Sequence, residues 1–179
     1  MLAAARMEAL DRLLPGVQQV GLTSERKGGM TGKADFTEQE WRIVLEGPPS
    51  AGMIVVTAQR GGTFRETLAI AKAYTEARKH HGQSELLDEI VSAKPEIDHS
   101  RYHSAQELKE HGLQHLRDAV DLLEQKATPE ELDDYKRFVL NVADKVANAH
   151  RENGDSVSPD ERVAIEAIAA SLSTTAPES

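Results

Sequence analysis

The chain contains no cysteine. Disulfides, thiolate metal sites and cysteine nucleophiles are therefore outside its chemistry, which suits a reducing compartment. Aromatic residues are scarce, and no basic cluster carries aromatics between its charges. There are 21 basic residues against 30 acidic ones, for a net charge of −9. Such a surface repels phosphate backbones, so nucleic-acid binding is not expected. Long hydrophobic runs are missing too: the longest, Ala51 to Ala58, is eight residues, where a bilayer span needs ~20. Arg6 and Glu8 interrupt any apolar core at the start, so a secretory signal is not expected either. The reading is a soluble, cytoplasmic protein without membrane insertion.

Catalytic signatures are also missing. There is no G-x-S-x-G and no phosphate-loop spacing. Gly28-Gly-Met-Thr-Gly-Lys33 resembles a phosphate loop only in composition. A ferritin-like di-iron site needs two Glu-x-x-His pairs. The chain offers one such spacing, Glu96 and His99, just after Pro95. These absences point away from an enzyme.

Helix grammar is abundant. A capping box sets an N-cap Ser or Thr three residues ahead of a Glu, each satisfying the other's backbone N–H. The pattern occurs at Thr37/Glu40, Thr63/Glu66, Ser104/Glu107, Thr128/Glu131 and Ser158/Glu161. Phe36 and Trp41 add a hydrophobic staple to the first, and Pro129 and Pro159 hold the first helical position of the last two. Pro48-Pro49 and Ser84 read as two further helix starts. Met53, Ile54, Val55 and Val56 cover every side of a helix, which predicts a segment enclosed by others. Arg60-Gly61-Gly62 should break it. Leu132, Tyr135, Val139, Val142, Val146 and Ala149 draw one seam along a long helix. No segment alternates at period two for long enough to make a strand.

The expected fold is therefore all-α, a single compact domain of about seven helices. It should span residues 36–172, after an N-terminal helix and glycine-rich flexible arm (1–35) and before a disordered tail (173–179). The halves echo each other. Thr37-Glu-Gln-Glu-Trp returns 91 residues later as Thr128-Pro-Glu-Glu-Leu, and Glu66, Leu68 and Ile70 match Glu161, Val163 and Ile165 at an offset of 95. That suggests two pseudo-symmetric helix pairs. Charge divides unevenly between them: residues 104–179 carry 8 basic and 16 acidic side chains, against 13 and 14 in residues 1–103.

Two constellations could hold a metal. His111, His115 and Asp118 share a helix with zinc-like i, i+4 spacing. With Leu113, Leu116, Val120 and Leu123 taken as its front, all three fall on the solvated back. The second is the oxygen-rich loop from Asn148 to Glu161. It fails the EF-hand pattern, because Ala149 and Arg151 occupy ligand positions. An unorthodox divalent site of Asp155, Asp160 and Glu161 is the candidate there, with helix capping as the alternative role for the last two.

The C-terminal 45 residues carry Val146-Ala-Asn-Ala-His-Arg-Glu-Asn-Gly, then Ser158-Pro-Asp-Glu-Arg and Ala164-Ile-Glu-Ala-Ile-Ala. This stretch resembles the TerB-like (tellurite-resistance B) helical family. The resemblance implies an all-helical domain of two similar halves, with a role in stress response and divalent-metal binding. Taken alone, the residues favour a non-enzymatic helical scaffold or protein-interaction module. Its partner would be another protein, and it would need no cofactor beyond an optional divalent ion.

Overall fold

The computed structural model describes residues 30–58, 64–80, 84–95, 102–151 and 158–173. Capped, amphipathic segments fold here into six α-helices: α1 (Glu38–Ala58), α2 (Phe64–Ala77), α3 (Glu85–Ser92), α4 (Ala105–Lys126), α5 (Pro129–Arg151) and α6 (Pro159–Leu172). Short 3-10 turns lie at Lys33–Asp35 and Arg78–His80. Among the described residues there is no strand, and the protein is all-α.

Four of the capping boxes fall on described residues. At α1, Thr37 N–H donates to Glu40 (2.8 Å) and Glu40 N–H to Thr37 Oγ1 (3.2 Å). At α5 the same exchange joins Thr128 and Glu131, and at α6 it joins Ser158 and Glu161. At α4 it is incomplete. Ser104 Oγ accepts from Glu107 N–H, but the Glu107 carboxylate accepts from His103 N–H instead. Thr63/Glu66 lies outside the described residues.

The enclosed helix is α1. It packs on α2, α4, α5 and α6, and Ala51, Ile54 and Val55 are essentially without exposure. Two details differ from expectation. Pro48-Pro49 does not start a helix: both prolines sit inside α1. A proline at 48 removes the N–H that would bond the carbonyl of Val44. The hydroxyl of fully buried Tyr135, on α5, donates to that carbonyl instead (3.0 Å). Gly47 makes room for it, since a Cβ there would stand 2.1 Å from the Tyr135 oxygen.

The second difference concerns where packing begins. Residues 1–29, most of the expected arm, lie outside the described residues. Its last part is docked from Thr31 to Asp35. Thr31 is buried; its N–H donates to Glu131 Oε1 (2.7 Å) and its hydroxyl to the Lys126 carbonyl (3.3 Å). Lys33 N–H donates to Glu89 of α3. The packed structure thus extends N-terminally past Phe36, because the buried Thr31 N–H and the exposed Lys33 N–H both find carboxylate acceptors on distant helices.

The expected offsets recur in the helices. α1 and α5 begin 91 positions apart and α2 and α6 begin 95 apart; α2 and α6 are each 14 residues long. α2 and α6 alike pack on both α1 and α5.

Candidate functional site

The oxygen-rich loop divides into seen and unseen parts. Asp155 lies outside the described residues. Asp160 is exposed in the first turn of α6, where a carboxylate complements the helix dipole. Glu161 is fully buried. Its carboxylate accepts from Ser158 N–H (2.5 Å), and its own N–H donates to Ser158 Oγ (3.1 Å). The Glu161 carboxylate is thus turned back onto its own helix terminus. Among the described residues no group of three or more His, Asp or Glu side chains is arranged to hold a metal ion.

A capping carboxylate should not respond to divalent ions. Calcium, magnesium or manganese should leave the melting temperature nearly unchanged. An ion at 100 times its dissociation constant would instead add ~2.7 kcal/mol, on the order of 5–10 °C for a chain of this length. A saturable rise abolished by Asp155→Asn with Asp160→Asn would establish a site.

The histidines of α4 separate. His111 is exposed, its ring stacked on Tyr102 at 5.7 Å. His115 is not on the solvated back. It turns toward α1, with Nδ1 buried, lacking a hydrogen-bond partner among the described residues and 3.9 Å from Glu46 Oε2. The reason is Gly112. This residue is buried and packs so closely on α1 that an added Cβ would meet Ile54 at 2.9 Å. A glycine gives no apolar signal, yet it centres the contact face nearer to His115. Asp118 accepts from Gln114 (2.7 Å). The structure does not bring His111, His115 and Asp118 together on one ion.

A polar cluster missed by the sequence reading forms where residues 31–36 cross the α4–α5 corner. Lys126 reaches the Asp35 carbonyl (3.1 Å) and Glu40 (2.7 Å), and lies over the Phe36 ring at 5.3 Å. The Lys126 hydrogen bond, then the Thr37 N–H, lower the pKa of Glu40 to about 2. Burial alone would raise that of Glu131, but donation from Thr128 and Thr31 outweighs it, and the net direction is down. Carboxylates depressed in the folded state stabilise it above their unfolded pKa, ~4.3, and the gain is lost as pH falls through the folded value. The melting temperature should therefore drop between about pH 4.5 and about 2. Thr31 should lose hydrogen-exchange protection in the same window, and Glu131→Gln should flatten the response. A melting temperature unchanged down to pH 2.5 would refute the assignment.

Three open concavities lie among the described residues. One, of about 480 Å³, lies between the C-terminal end of α1 and the starts of α4 and α6; Ile54, Ala58, Leu113, Val163 and Ala164 line it. Val163 is 53% exposed there. A second, of about 390 Å³, runs between α2 and α5 beside Leu68 and the Glu76–Lys145 ion pair. The third, of about 290 Å³, is floored by Trp41, Leu45, Tyr74 and Ile90 of α1 to α3. None brings together a nucleophile with an oriented base. No family model, curated protein or solved structure matches the chain.

Proposed function

We propose that this chain is a non-enzymatic helical module that binds another protein in the cytoplasm. The observation that carries this reading is the α1–α4–α6 groove, where apolar side chains form the floor and Lys109, Glu110 and Asp160 form the rim. An apolar trough with mixed charge at its edge suits the apolar face of an amphipathic helix. Val163 is a large apolar side chain held in the open at that groove. The TerB-like, metal-responsive alternative rests on the resemblance of residues 146–169. The engagement of Glu161 in its cap gives that alternative no support.

Val163→Glu should leave the fold intact, because a substitution at an exposed site usually changes stability by less than ~0.5 kcal/mol. It should abolish capture of a protein partner from lysate. Leu68→Glu, on the other groove, should not. Loss of capture with both changes, or with neither, would refute the groove as the docking site.

A further inference from the structure

We propose that the cleft walled by α1, α2 and α3 binds a small molecule with a ring-sized apolar body and one carboxylate. At about 290 Å³ the cleft lies near the lower end of the ligand-pocket range, ~300–1,000 Å³, so its ligand is small. Trp41, Leu45, Tyr74 and Ile90 offer that body an apolar floor with two aromatic rings. The other two concavities are lined by no aromatic side chain.

The polar groups of the cleft call for an acceptor. Trp41 is 7% exposed and Tyr74 2%. Among the described residues neither the indole N–H nor the phenol hydroxyl has a hydrogen-bond partner, yet neither polar atom is closed off. Buried donors without partners are costly, and a ligand oxygen would satisfy them. Burial raises the Tyr74 pKa well above its ordinary value, so the phenol is a neutral donor and not a competing anion. Lys33, Arg42 and Lys94 line the same cleft. None of the three forms an ion pair among the described residues. Against them stand Glu38 and Glu46, the second lying 3.9 Å from His115 Nδ1 of α4. Positive charge is thus in excess here, in a chain whose net charge is −9. A carboxylate suits such a set of donors, because charge-assisted hydrogen bonds are the strong ones.

The walls are held before any ligand arrives, as in most such sites. Arg78 donates to the carbonyls of Val91 (2.5 Å) and Ala93 (3.3 Å), fixing the end of α3 against the turn after α2. Lys33 N–H donates to Glu89 of α3. Tyr74 stands edge-on to Phe138.

Trp41 is the one tryptophan of the chain, so its fluorescence reports on this cleft. Phenylacetate should change the emission saturably. Phenylacetamide, the same shape without the charge, should bind at least ~10-fold more weakly, the scale of a hydrogen bond to a charged group. Phenethylamine should bind more weakly still. Arg42→Ala with Lys94→Ala, both at exposed positions, should weaken the acid by a similar factor and leave the amide unchanged. Tyr74→Phe should also weaken the acid, whereas Val163→Glu, in the α1–α4–α6 groove, should not. No saturable response to phenylacetate would overturn the proposal. So would equal binding of acid and amide, acid binding that survives the double substitution, or acid binding lost with Val163→Glu.

Discussion

Val55→Asp is expected to destabilise the protein by about 4 kcal/mol, the scale of a charge buried without a partner. Val55 has no exposed surface, and neither does Val142 on α5. α1 has neighbours on four helices, so an aspartate there has no direction in which to reach water. It must stay protonated, draw water inward, or force helices apart. The total stability of a domain this size is ~5–15 kcal/mol, so the loss should be plain as a lower urea midpoint. Val142→Asp should behave alike. Val163→Asp, at a residue of the same type that is half exposed, should cost less than ~0.5 kcal/mol. A loss below ~1 kcal/mol for Val55→Asp would mean that α1 is not enclosed.

That contrast follows directly from what could be read along the chain. Local grammar was legible because its partners lie three residues apart. The boxes at Thr37/Glu40, Thr128/Glu131 and Ser158/Glu161 form as written. The enclosed character of Met53 to Val56 was legible because no polar residue interrupts it. What escaped was set by partners distant in sequence. Pro48 reads as a helix start only while Val44 lacks another donor, and that donor is 91 positions away. Thr31 reads as part of an arm until Glu131, 100 positions on, accepts its N–H. His115 reads as solvated until Gly112, which has no side chain to signal burial, packs on Ile54. Phe138, buried on α5 and edge-on to Tyr74 at 5.0 Å, falls outside the seam of the heptad pattern. As for the site, the pairing of Glu161 with Ser158 was readable, whereas the grooves were not. A groove is made by helices that meet, and periodicity within one helix does not describe it.

The interior prolines of α1 supply the other large effect. Gly47→Ala should destabilise by about 3 kcal/mol, although alanine is the better helix former by ~1 kcal/mol. The new methyl would lie 2.1 Å from the Tyr135 hydroxyl oxygen and 3.3 Å from its Cζ. Tyr135 is fully buried and cannot retreat without overpacking its surroundings, at ~1–3 kcal/mol. When the ring shifts, the Val44 carbonyl loses its donor, and a buried unsatisfied group costs a further ~1–3 kcal/mol. Burial also pushes the Tyr135 pKa far up, so the hydroxyl stays a donor at any ordinary pH. Tyr135→Phe alone should cost ~1–2 kcal/mol, since it removes the donor and leaves the packing. The two changes together should cost clearly less than their sum. Phenylalanine takes away the oxygen at 2.1 Å, and the remaining 3.3 Å contact relaxes with a shift of a few tenths of an ångström. A coupling of at least ~1 kcal/mol in a double-mutant cycle is therefore expected. Simple additivity would mean that Gly47 is not there to admit the hydroxyl that replaces the amide missing from Pro48.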